Sequence, residues 1–186
     1  MGYNSLNNLD SNGQNSLFSA LQGVLSRLKQ VSINKAIRYL QDIPDKCKMS
    51  YTSIENRNTR NSHPRKYHPI KPKRGEIYNA FITEGVGSEL CGNHPVVILQ
   101  NAKANIYGEK VNVLPIEGNG TKINPHFHVQ LTPNELSNGQ LTKNPSRIII
   151  TDIMTLDKAR LGRKIGCVTP QCLDSIKTLL QRQLGL

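Results

Sequence analysis

Few side chains in this chain can do chemistry near neutral pH: five histidines and four cysteines among 186 residues. His126 and His128 are two residues apart, so on one strand they would share a face and could hold a metal ion. No cysteine or carboxylate stands beside them. They read instead as satisfied or ligand-facing histidines, and no metal or other cofactor is expected. Cys47, Cys91, Cys167 and Cys172 contain no Cys-x-x-Cys pair. That argues against a zinc ribbon or a disulfide framework and for free thiols in a reducing, cytoplasmic setting. Cys91 has no neighbour that argues for an activated thiol. Gly118-Asn119-Gly120 lacks the Gly-Lys-Ser/Thr ending of a phosphate-cradling loop and reads as a flexible connection.

The remaining chemistry is carried by cations. There are 24 Lys and Arg against 13 Asp and Glu, a net charge of +11, which points to a polyanionic partner. Residues 1–74 hold 13 basic and 4 acidic side chains, so nearly all of the excess lies there. From Arg57 to Arg74 run seven basic residues and no acidic one, interspersed with Pro64, Pro69 and Pro72. Proline fixes φ and removes donors, so residues 46–72 are expected to form an extended basic linker. It would be either a solvated tether or an arm on a phosphate backbone, where Tyr67 and His68 could stack on bases.

The elements that must position these groups fall in two parts. Leu17, Leu21, Val24, Leu28 and Val31 share one helix face, and Ile33, Ile37 and Leu40 resume the pattern out of phase. Helices are therefore predicted over 16–30 and 33–43, capped by Asn15 or Ser16 and by Ser32, and ended by Pro44. Together they make a helical extension over 14–45, and the Asn- and Ser-rich residues 1–13 are expected to be disordered. Residues 73–186 read as six short strands, 76–82, 95–100, 111–116, 126–131, 147–152 and 164–168. A terminal helix follows, capped by Thr169 and started by Pro170. This predicts a mainly β fold, a small antiparallel barrel with one helix packed against it, able to fold without residues 1–72. The longest aliphatic runs are four residues, so no membrane span is expected. The N-terminus has neither the charged nor the apolar region of a secretory signal.

Several motifs together resemble a known family. Lys73-Arg74-Gly75-Glu76-Ile77-Tyr78 resembles the opening strand of MazF/PemK-type toxins. Gly87-Ser88-Glu89 followed by Gly92-Asn93-His94-Pro95-Val96-Val97-Ile98-Leu99 is similar to that family's first loop and second strand. Pro125-His126-Phe127-His128-Val129 and Ile153-Met154-Thr155-Leu156-Asp157-Lys158 are similar to two later segments. The resemblance covers residues 73–186 and implies a CcdB-like, SH3-type barrel that forms a homodimer. It further implies the toxin half of a type II toxin–antitoxin pair, with an antitoxin protein as partner and metal-independent cleavage of single-stranded RNA as activity. Relatives of the same fold act on gyrase. A catalytically weak form that only binds nucleic acid (DNA included) or a protein is therefore the alternative.

The departures from the family pattern fall at its usual catalytic positions. His94 stands where an arginine is usual, Glu117 where a threonine closes the third strand, and Met154 where a second arginine is usual. Metal-free RNA cleavage needs a base for the 2′-hydroxyl, an acid for the leaving oxygen and cations on the phosphate. By resemblance, His94 and Glu117 lie at corresponding ends of neighbouring strands, with Glu117 as base and His94 as acid. Lys73, Arg74, Lys103, Lys122, His128, Arg147 and Thr155 are the candidate RNA contacts, and Ser88, Glu89 and Asp152 the supporting residues.

Overall fold

A computed structural model describes residues 10–28 and 31–186. The disorder expected of residues 1–9 falls outside them. The chain forms two units divided after Gln41. In the first, helix α1 (Ser11–Arg27) starts earlier than the apolar spacing predicts, because Asp10 caps it by accepting the Gly13 N–H at 2.7 Å. Residues 11–13 are thus helical. None of the α1 side chains is buried, and Phe18 and Leu25 are its most exposed apolar residues. Helix α2 (Ile33–Ser62) opens on Ser32, whose Oγ accepts the Lys35 N–H at 3.3 Å.

Pro44 lies inside α2 and does not end it. An internal proline removes one helical hydrogen bond and costs about 3 kcal/mol. Within the second unit the helix is held past that point by tertiary bonds. Ser53 Oγ donates to Asp157 at 2.8 Å, and Arg57 donates twice to Glu109, at 3.0 and 2.9 Å. The expected linker is therefore helix as far as Ser62. Beyond it the chain is extended but not a solvated tether. The His68 N–H donates to the Ile106 carbonyl at 2.9 Å, and the ring, 1% exposed, accepts the Ile70 N–H through Nδ1 at 3.0 Å. Pro72 is buried as well, and Ile70 packs on the sheet. Three anchors among the basic residues make this segment a strap.

The body is an antiparallel sheet bent into a half-barrel. Its strands are β1 (Glu76–Ile82), β2 (Gly92–Ile98), β3 (Lys110–Glu117), β4 (His128–Leu131), β5 (Leu136–Gly139), β6 (Ser146–Ile149), β7 (Met154–Asp157) and β8 (Leu161–Val168). The order is β4-β6-β3-β2-β1-β8-β5, with β7 paired to β3. Helix α3 (Ala102–Tyr107) joins β2 to β3, and helix α4 (Pro170–Leu184) ends the body. One core lies between the sheet and α4, where Ile77, Val97, Leu114, Ile116 and Ile148 meet Cys172 and Ile176. The other face buries Ala80, Val96, Ile98, Val111, Val113, Leu156 and Leu161, with Ile70 of the strap against them. Thr169 Oγ1 caps α4 through the Cys172 N–H, and Gly185 closes it at φ +69°, a left-handed conformation that suits a residue without Cβ.

Candidate active site

Strand β3 changes partner along its length. Lys110–Val113 pair with β7, Val113–Pro115 pair with β2 on the other edge, and Ile116 and Glu117 pair with β6. In an antiparallel pair, directly opposed residues share a face. Glu117 opposes Arg147, and Arg147 opposes Gln130 of β4. The β2–β3 register, which pairs Val96 with Pro115, sets His94 across from Glu117 when carried two residues past the last bonded pair. Glu117, Arg147 and Gln130 thus form a row across three strands on one face of the sheet, and His94 lies beyond the last bonded pair of β2 with β3.

Within the row the hydrogen bonds are specific. Arg147 Nη2 and Nε donate to Glu117 Oε2 at 2.6 and 3.1 Å, and Nη1 donates to the Lys122 carbonyl at 2.6 Å. The pair is partly shielded, with 18% of the arginine side chain and 29% of the glutamate exposed. His128 stands on the same face, one step along β4. It accepts the Asn124 N–H through Nδ1 at 3.0 Å. Burial, and then the Arg147 charge, hold its pKa below the ordinary histidine value, against an opposing pull from Glu117. Its ring is therefore neutral near pH 7, with the proton on Nε2.

His94 has a different partner. Its Nε2 lies 3.0 Å from the Cys91 carbonyl, so that nitrogen carries the proton and Nδ1 is left to exchange one. It lines a cleft of about 270 Å³ with Asn79, Asn93, Gly118 and Lys143. Glu117 is not part of that lining, although Ile116 and Gly118 on either side of it are. The two residues read as an acid–base pair have different partners, Arg147 for Glu117 and the Cys91 carbonyl for His94.

The other candidates separate into groups. Ser88, Glu89, Asp152 and Thr155 line a larger cleft of about 600 Å³ with Arg160. There Glu89 accepts the Val86 N–H at 2.8 Å, Asp152 accepts the Thr151 hydroxyl at 2.9 Å, and Thr155 donates to Asn112 at 2.7 Å. Lys122 is exposed beside the row. Lys73, Arg74 and Lys103 are exposed but line neither cleft. The Lys73 backbone N–H instead donates to Glu76 at 2.7 Å, where the Lys164 ammonium also docks at 2.6 Å. His126 sits in a turn before β4, so it does not share a strand face with His128. Asn124 causes this by accepting the His126 N–H at 3.0 Å. Among the described residues no group of three or more His, Cys, Asp or Glu is placed to hold a metal ion. Among them no helix is long and apolar enough to cross a membrane.

One ionisable residue here was not singled out by the sequence pattern. Lys158 is fully buried. Its Nζ donates to the Asn105 carbonyl, and burial, then the Arg60 charge, push its pKa down to about 8. A lysine set among Leu156, Ala159 and Leu161 was the signal that could have marked it.

The sheet, the α4 helix and the first-loop cleft together describe a known toxin fold. The model of PemK-like, MazF-like toxins of type II toxin–antitoxin systems matches residues 73–184. The chain belongs to this family. Endoribonuclease MazF of Staphylococcus saprophyticus is 35% identical over 114 residues, covering 61% of this chain and 92% of the relative. Among solved structures, MazF from Deinococcus radiodurans is 21% identical with a TM-score of 0.52, covering 62% of this chain and 97% of that one, a likeness of fold. An endoribonuclease in complex with its cognate antitoxin, from Mycobacterial species, is 26% identical over 62% of this chain and 95% of that one, with a TM-score of 0.45. As a MazF-like toxin domain the body accounts for residues 73–184, and α1, α2 and most of the strap lie outside the match.

Proposed function

We propose that this protein is a toxin-type endoribonuclease that cleaves single-stranded RNA without a metal, acts in the cytoplasm as a homodimer and is held in check by an antitoxin protein. The observation that supports the reading is the match to the toxin family over residues 73–184, with Glu117 and Arg147 paired on neighbouring strands as a candidate base and phosphate-binding cation. Glu117 takes the 2′-hydroxyl proton, and the 2′-oxygen bonds to phosphorus. Arg147 and the exposed Lys122 face the developing phosphorane charge. The bond to the 5′-oxygen breaks, and His94, protonated at Nδ1, gives that oxygen its proton. The products are a 2′,3′-cyclic phosphate and a 5′-hydroxyl. His128, neutral beside Arg147, helps hold the phosphate as a hydrogen-bond donor through Nε2.

The full chain incubated with a long single-stranded RNA in EDTA should leave cyclic phosphate ends. Intact RNA, 5′-phosphate ends or inhibition by EDTA would overturn this reading. The alternative, binding without cleavage, has one observation in its favour. The Arg147 guanidinium is already engaged by Glu117 and the Lys122 carbonyl. Under that alternative the same assay shows RNA retained on the protein and uncut.

A further inference from the structure

The strap and the end of α2, both largely outside the family match, meet α3, inside it, in a cluster of rings. His63 stacks on Tyr67 with centroids 5.1 Å apart and planes 25° apart. Tyr107, the last residue of α3, meets Tyr67 edge-on at 5.5 Å. Lys71 Nζ lies 5.1 Å from the Tyr67 centroid. Tyr107 remains 42% exposed, and the Arg60 guanidinium, 3.5 Å from its carbonyl, ties its backbone to α2. Arg57 and Arg60 are answered by Glu109. Arg65, Lys66 and Lys71 are exposed, and no carboxylate lies between Glu55 and Glu76 in the sequence.

Two properties follow. The rings are pre-ordered by one another, so a base stacking on them meets a platform already set in place. The surrounding field is positive. Stacked rings beside cations that track a phosphate backbone are the means by which proteins hold single strands without reading sequence. Glu109 precedes β3, whose eight residues separate the cluster from Glu117 by about 23 Å at the usual strand rise. A strand engaged at both ends would therefore lie along the body.

We propose that His63, Tyr67 and Tyr107, ringed by Arg65, Lys66 and Lys71, form an accessory surface for single-stranded RNA, taking bases by stacking and phosphates by charge, remote from Glu117. The inference rests on the reading of single-stranded RNA as the ligand and not on its cleavage. Stacking reads base faces and not 2′-hydroxyls, so a deoxy strand occupies the surface and cannot be cut by 2′-attack.

The test is anisotropy of a labelled oligodeoxythymidine of about twelve nucleotides, titrated with the full chain over a range of salt. Tyr107→Ala should weaken binding about 5- to 100-fold and Tyr107→Phe should restore it. Arg65→Gln, Lys66→Gln and Lys71→Gln together should flatten the salt slope by about 2, some 0.7 for each phosphate that is no longer neutralised. These three side chains are exposed, but Lys66 also donates to the Asn61 carbonyl and Lys71 lies over Tyr67. The slope is therefore read at a temperature well below that variant's measured melting point. Binding by Tyr107→Ala within twofold of the parent, at an unchanged melting temperature, overturns the proposal. An unchanged salt slope in the triple variant overturns it too. So does a triple variant that loses only a poly-glutamate peptide and still holds the strand, which would assign the surface to an acidic protein. A parent that binds the strand and leaves RNA uncut refutes the nuclease reading alone.

Discussion

Glu117 and His94 are the proposed base and acid, two side chains of types that can each move a proton. Glu117→Gln and His94→Ala should each slow RNA cleavage by about 10²–10⁴, the usual yield of one general acid or base, measured at saturating RNA. A rate within threefold of the parent for both variants would move the chemistry to His128 and Asp152. Arg147→Lys keeps the charge but loses the two-pronged hold on Glu117, so its cleavage rate should fall more than its RNA affinity. Lys158 gives a prediction in pH. Its pKa is pushed down to about 8 in the fold, against about 10.4 for an unfolded lysine. Between those values the unfolded chain binds more protons, so this residue's contribution to stability rises with pH. Cys172 works the other way above about pH 8.5, where an unfolded thiol ionises, because burial holds its own thiol up to about 12. Lys158→Met keeps Cys172 and cancels it. The melting temperature of the parent relative to Lys158→Met should therefore climb from about pH 8 to 10. Parallel curves would show that the amine does not titrate in that window.

At the scale of elements, α2 and the strap speak against the expectation that the body folds from Lys73. A chain beginning at Asp42 should melt within a few degrees of the full protein. A chain beginning at Lys73 loses both arginines on Glu109, the Ser53–Asp157 bond, buried His68 and the Ile70 cover of the second core. It should melt well below the longer one or aggregate. Equal melting curves for the two truncations would make the strap an ornament. The contrast shows what a sequence exposes and what it conceals. Strands β2, β3 and β6 carry Val, Ile and Leu runs, and Thr169-Pro170 announces α4 with its cap and its first turn, so each is legible from local chemistry. Strand β5, Leu-Ser-Asn-Gly, has one apolar residue, and β7 is four residues long, so neither shows a period. Pro44 and the prolines of the strap speak locally for a break and a tether, while the partners that overrule them, Glu109, Asp157 and Ile106, lie some 40 to 105 residues away. The site divides the same way. Motif resemblance supplied His94 and Glu117, but the Arg147–Glu117 pair depends on β3 changing partner, which no short segment records.

For the whole molecule, the excess of +11 is concentrated in residues 1–74, outside most of the toxin domain. Affinity for long RNA should thus fall steeply with salt, while cleavage of a fragment short enough to reach only the Glu117 row should vary little, a difference read by running both substrates at two ionic strengths. Light scattering should give the mass of two chains, and a one-chain mass at micromolar concentration would remove the homodimer from the proposal. Production of the protein alone should arrest bacterial growth, relieved by co-production of the antitoxin; unimpeded growth with folded protein present would count against a toxin. The last consequence concerns time. β3 is bonded by three strands in turn, β7 at its start, β2 in its middle and β6 at its end, and Glu117 closes it. Val113 is paired on both sides, to Ile98 and to Met154. Amides around it should exchange hydrogen for deuterium only when the domain opens as a whole, on the slowest clock the molecule has. Those near Glu117, paired on one side, should exchange sooner. The carboxylate proposed to meet the 2′-hydroxyl is thereby mounted at the end of the strand that opens sooner, and it has room to shift toward the RNA.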